Sequence, residues 1–173
     1  MGKVLVGIVV IATIVGLTSC DLLGDDDNGS SGGGRGTGEL VYQGETTELT
    51  QLIFDDYGQH GSGVYNIDIY IVSDDLVFGE ASGTGRFVYL EMFFDGPSVS
   101  AGDYIFSGSE AAGTFSDFSD ITTVVDGAFT EHELTGGDVT ISISGSTYTI
   151  SGNVTTAEGA ATFTYEGPLT DSF

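Results

Sequence analysis

This chain of 173 residues has no tryptophan, one cysteine and three basic residues. Each shortage excludes something. A single thiol cannot form an internal disulfide, so the fold must rest on its apolar core. Without tryptophan, a sugar-binding surface lacks its usual stacking platform. The basic residues are Lys3, Arg35 and Arg86, against 26 Asp and Glu. Such a chain has no surface that could track phosphates, so nucleic acid is excluded as a partner. Docking on anionic lipid by charge is excluded as well. Beyond Lys3 there is no lysine, hence no phosphate loop with its lysine. No Gly-x-Ser-x-Gly elbow occurs.

The longest apolar run, Val4–Leu17, is shorter than the roughly 20 residues that a membrane span needs. It follows Lys3 and ends in Leu17-Thr18-Ser19-Cys20. That layout is a secretory leader over residues 1–19. Its last four residues resemble a bacterial lipobox. The resemblance implies cleavage before Cys20, a diacylglycerol thioether on its sulfur and, usually, an acylated amine. The expected location is the cell envelope, with the membrane as a partner through lipid.

Residues 20–38 read as the acylated cysteine and a tether. Asp25-Asp26-Asp27-Asn28 precedes two Gly/Ser clusters, a composition that predicts flexible coil. Eighteen such residues reach about 20–25 Å on average. Asp21 and Asp25, Asp26 and Asp27 beside the cysteine resemble the export signal of surface lipoproteins of the Bacteroidota. That implies the outer membrane or cell surface. In enterobacteria an aspartate directly after the cysteine implies the inner membrane instead.

From Glu39 the apolar period is two, and no segment carries a capped helical stripe. Tyr65, Ile67, Ile69 and Ile71 alternate with Asn66, Asp68 and Tyr70. Further strands are expected at Leu40–Gln43, Glu48–Phe54, Phe87–Phe94, Gly102–Phe106 and Thr122–Val125. At the C-terminal end a register can be written. A two-residue turn at Gly145-Ser146 pairs Ser144 with Thr147, Ile143 with Tyr148, Ile141 with Ile150 and Val139 with Gly152. A second turn at Ala157-Glu158 pairs Val154 with Ala161, Gly152 with Phe163 and Ile150 with Tyr165. Apolar residues then share one face of a three-stranded meander. The expected fold is a single all-β domain, 39–173. It has about eight to ten antiparallel strands in a β-sandwich or a closed β-barrel. The strand order over Phe87–Leu169 resembles β-rich surface lipoproteins of the Bacteroidota, a resemblance that carries no catalytic residue.

Phe87–Phe94 is apolar on both faces, so both are covered. Phe87, Tyr89 and Phe93, with Glu91 among them, are either a packed second face or the wall of a ligand groove. Glu91 is the acid whose surroundings invite a raised pKa. Phe115–Phe118 falls in a long loop, a lid or plug. His60 and His132 sit in loops; a zinc site would have to add Asp55, Asp56 or Glu133. Asp55, Asp56, Asp74 and Asp75 fall in turns and are candidates for weak calcium binding; no other cofactor is expected.

The function expected from all this is a non-catalytic binding or structural module with a glycan or protein partner. A carbohydrate- or small-ligand-binding module and an acid-dependent glycan hydrolase are the alternatives. The charge carries its own expectation. Removing Lys3 with the leader leaves two basic residues against 26 acidic, a balance of −24. That suits a soluble exported protein, and also adaptation to salty water, where screening makes it harmless. The melting temperature should therefore rise with NaCl already below about 0.3 M, where the Debye length falls towards about 6 Å. A midpoint flat in NaCl would remove the self-repulsion argument. A calcium curve matching its ionic-strength control would remove the metal.

Overall fold

The computed structural model describes residues 34–77 and 82–172. Cys20, the lipobox residues Leu17, Thr18 and Ser19, and the acidic residues Asp21, Asp25, Asp26 and Asp27 lie outside them. The described chain is strand, turn and loop, with no helix. Its strands are β1 (Thr37–Tyr42), β2 (Glu45–Glu48), β3 (Gln51–Gly61), β4 (Val64–Val72), β5 (Leu76–Val77), β6 (Ser82–Gly83) and β7 (Gly85–Phe94). There follow β8 (Gly102–Phe106), β9 (Thr114–Phe115), β10 (Asp120–Val125), β11 (Ala128–Ser144), β12 (Thr147–Thr156), β13 (Gly159–Pro168) and β14 (Asp171–Ser172). Four of these are two residues long, which leaves ten substantial strands, within the expected range. The pairing is antiparallel as expected except for β8 with β9 and β3 with β14, which are parallel.

Short turns hold the antiparallel neighbours. Asp126-Gly127, with φ of 50° and 80°, joins β10 to β11, as a type I′ turn requires. Gly145, with φ of 61°, opens the turn into β12, where the left-handed region suits glycine. The register read from the sequence is the observed one: Ile143 faces Tyr148, Ile141 faces Ile150 and Val139 faces Gly152. On the other side Gly152 faces Phe163 and Ile150 faces Tyr165. Ile143 departs in one respect. It stands near the turn at the end of the sheet and is 36% exposed, so it is not a core residue.

The sheet runs β14-β3-β4-β7-β9-β8-β11-β12-β13-β1-β2, with β10 pairing both β7 and β11. Strands β7, β9, β8, β11 and β10 therefore form a closed hydrogen-bonded ring. The two ends of the order also meet, because β2 runs through Leu49-Thr50 into β3. At that corner the Leu49 N–H bonds Gly38 O at 3.0 Å, and the Thr50 N–H bonds Val72 O of β4 at 2.9 Å. The architecture is thus a barrel.

Between β7 and β11 the wall is split. β10 fills one end, β9 and β8 the other. Of the segment expected to be a loop forming a lid or plug, Phe115 instead belongs to β9, and the residues after it, 116–119, close the gap. The Ser116 N–H bonds Glu91 O at 3.0 Å, and the Leu134 N–H bonds Ser119 O at 2.8 Å. Phe115 is buried, whereas Phe118 is 61% exposed.

Inward side chains from β1, β3, β4, β7 and β10–β13 form one buried cluster, with Leu40, Leu52, Ile69, Leu90, Ile121, Val139, Ile150 and Phe163 among its members. Burying each such side chain contributes roughly 1.5–3 kcal/mol. Ile141→Ala should therefore cost about 2–5 kcal/mol in urea unfolding, since Ile141 is 1% exposed. Thr140→Ala should stay within about 0.5 kcal/mol, because Thr140 faces solvent and donates only to Asp103 at 2.8 Å. Equal costs would contradict the register.

Several local expectations are corrected. Thr37 and Gly38, assigned to the tether, belong to β1. Asp55, Asp56 and His60 lie in β3 rather than in turns or a loop, and His132 lies in β11. Asp and Gly are poor strand formers, but here pairing with β4 and β10 overrides local preference. The mismatch in β3 is absorbed by bulges at Asp56/Gly58 and Gln59/Gly61.

Candidate functional site: the outer wall of β3, β4, β7 and β10

Alternation on β4 sends Ile67, Ile69 and Ile71 inward and Asn66, Asp68 and Tyr70 outward. Because β4 is central, its outward residues meet neighbours on both sides. Asp68 stands directly opposite Asp55 of β3 and Glu91 of β7. The next outward row carries Ile53, Tyr70, Tyr89 and Asp120, continued by Glu133 of β11. Directly opposed side chains have Cβ atoms about 4.5–5.5 Å apart. Three carboxyl groups therefore lie in register across three strands.

Asp68 is 4% exposed. The Tyr89 hydroxyl donates to its Oδ2 at 2.7 Å. Its Oδ1 is buried and has no hydrogen-bond partner. Burial pushes its carboxyl up to about 7; the bond from Tyr89 opposes this, and the charges of Glu91 and Asp55 add to it. Burial likewise raises Asp120 to about 7, against the bond from Thr122 and with Glu131 and Glu133 adding to the rise. Tyr70 and Tyr89 stack with centroids 5.0 Å apart and planes 22° apart. Burial first, and Asp68 next, hold both hydroxyls well above the usual phenol range. Tyr57, 65% exposed, is raised to about 12 by burial and by its bond to Asp55.

The four residues expected on a ligand wall do share the outer face of β7. Glu91, Phe87 and Tyr89 are half-buried. Glu91 accepts a hydrogen bond from Ser116 Oγ. Phe87 packs with Tyr70 beside a small outer cluster of Ile53, Val72, Leu76 and Val124. Phe93 is 1% exposed, with the His60 ring edge-on at 5.3 Å, and so cannot face a ligand. The acids raised by burial are Asp68 and Asp120. The sequence reading did not single them out, although an aspartate within the apolar alternation Tyr65–Ile71 was a usable signal.

The other candidates are dispersed. His60 pairs with Glu110 at 2.6 Å, and His132 with Glu158 at 3.4 Å. Asp56 caps its own bulge by accepting from the Gly58 N–H at 2.7 Å. Asp74, in the turn after β4, pairs with Arg35. Arg86 binds Glu45 at 2.5 Å and the Tyr42 carbonyl at 3.4 Å. Both arginines are thus engaged away from the acidic row. Among the described residues, no three His, Cys, Asp or Glu side chains are placed to hold one metal ion.

No protein-family model, curated protein or solved structure matches the chain.

Proposed function

We propose that the chain is an exported lipoprotein, cleaved before Cys20 and held in the outer membrane or at the cell surface by the lipid on that cysteine. On this reading the barrel is a non-catalytic binding module with a glycan or other partner, and the ligand seats on the outer wall of β3, β4, β7 and β10. One observation carries the choice of wall. The inward side chains pack together as the core, while this outer face holds a buried carboxyl, two stacked tyrosines and two further acids in register. Burying a polar atom costs free energy unless it is hydrogen-bonded, and Asp68 Oδ1 on this wall is not.

The anchor has a direct test. Metabolic labelling with an alkyne fatty acid should tag the wild type, and Cys20→Ser should lose the tag and leave a soluble or uncleaved species. Equal labelling of both would refute the anchor. For the module, a glycan array should give binding that Tyr89→Ala weakens.

Acid-dependent glycan hydrolysis is a second reading with one observation in its favour. Asp68, raised by burial to about 7, holds a proton near neutrality directly opposite the carboxyl groups of Glu91 and Asp55, and a protonated acid facing a second carboxyl group is the pairing that glycoside hydrolysis uses. Turnover abolished by both Asp68→Asn and Glu91→Gln would favour the hydrolase. Binding without turnover favours the module.

A further inference from the structure

We propose that the row Asp55–Asp68–Glu91 is an acceptor site for an organic cation, a primary ammonium or guanidinium group, bordered by Tyr57, Tyr70 and Tyr89. The proposal rests on the reading of this wall as a binding surface and names the ligand class.

Like charges directly opposite one another on neighbouring strands repel. This fold nevertheless sets three acids in one row. The two arginines among the described residues are engaged elsewhere, with Asp74 and with Glu45. The row therefore lacks a counter-charge from those residues. The second observation is independent of charge. Asp68 is 96% buried, being 4% exposed, and its Oδ1 is an acceptor with no donor. Buried polar atoms in folded proteins have partners, so an orphan of this kind calls for one. A cation carrying N–H donors supplies both the charge and the hydrogen bond.

The surroundings favour nitrogen over metal. The acids are not placed to bind one metal ion as a group of three. The neighbours are aromatic: Tyr70 and Tyr89 stack at 5.0 Å beside Asp68, and aromatic faces attract ammonium and guanidinium groups. The row meets solvent at its two ends, while Asp68 Oδ1 between them is buried. Asp55 and Glu91 are half-buried and reach solvent. Tyr57 is largely exposed, sits within the bulge of β3 and is hydrogen-bonded to Asp55.

Such a cation could be a free polyamine or the side chain of a peptide. Calorimetric titration of the detergent-solubilised full chain at pH 8 in 0.15 M NaCl separates the two, with spermidine in one arm and an acetylated, amidated lysine tripeptide in the other. Saturable one-to-one binding of either probe is expected, and the stronger arm identifies the source. Asp68→Asn and Glu91→Gln should each weaken it at least tenfold, with melting curves confirming a folded barrel. Glu166→Gln, on β13, should leave it unchanged. Absence of saturable binding in both arms, or equal weakening by Glu166→Gln, overturns the proposal. So does displacement of spermidine by calcium but not by NaCl of equal ionic strength, which assigns the row to a metal. If both amines fail while glycan binding sensitive to Tyr89→Ala persists, only the cation proposal falls. If the glycan signal is missing too, the binding reading falls with it.

Discussion

Phe163→Ala is expected to cost about 3–5 kcal/mol, the range for a large aromatic side chain removed from a core. Phe163 is 1% exposed and stands opposite Gly152, with its ring lying where a side chain at 152 would be. A Cβ added at Gly152 would meet three ring carbons of Phe163. Gly152→Ala alone should therefore destabilise by about 1–3 kcal/mol through overpacking. The two changes must couple: once Phe163 is truncated, the methyl group introduced by Gly152→Ala falls into the vacated space. Urea unfolding of the two single variants and the double variant measures this. The double variant should be more stable than the sum of the single costs allows. Additivity within about 0.5 kcal/mol would mean that the ring does not fill the glycine's place.

The second large effect concerns pH. Asp68 and Asp120 have folded-state values of about 7, raised from the ordinary 3.8, with burial the first cause in each. The native state therefore binds more protons than the unfolded chain between those values. Stability must rise as pH falls through about 7 towards about 4, and the penalty must be complete above pH 8. Each tenfold change in proton affinity corresponds to about 1.4 kcal/mol. Asp68→Asn keeps the shape and an acceptor for Tyr89 but never ionises. It should be more stable than the wild type by about 2–4 kcal/mol at pH 8, with the gap closing near pH 4. Melting curves of the two proteins from pH 4 to 8 give the comparison. An Asn variant that is less stable at pH 8, or a gap that does not change with pH, would place the charge of Asp68 in a solvated setting. A variant gaining stability while losing amine binding would also separate function from folding at one residue.

The all-β class and the C-terminal meander were legible in the sequence for a local reason. Period-two alternation needs only neighbouring residues, and a two-residue turn fixes the register on both sides of it. Ile141 and Ile150 are nine positions apart and could be paired on paper. The same reasoning placed Ile67, Ile69 and Ile71 on one face. It missed the strand character of Asp55, Asp56 and His60, because their local preference is for turns and only pairing with β4 holds them extended.

What the tertiary structure alone decided is closure and the acidic row. The corner at Leu49-Thr50 joins β1 to β4 through hydrogen bonds that no local pattern announces. The split between β7 and β11, sealed by Ser116 and Ser119, depends on strands far apart in the chain. Asp55, Asp68 and Glu91 come together only when β3, β4 and β7 pair in one register, and β4 and β7 are separated by a 12-residue connection containing β5 and β6. Burial, which raises Asp68 and Asp120, belongs to the assembled wall. Alternation tells which residues share a face; how deeply each lies is decided by what packs around it.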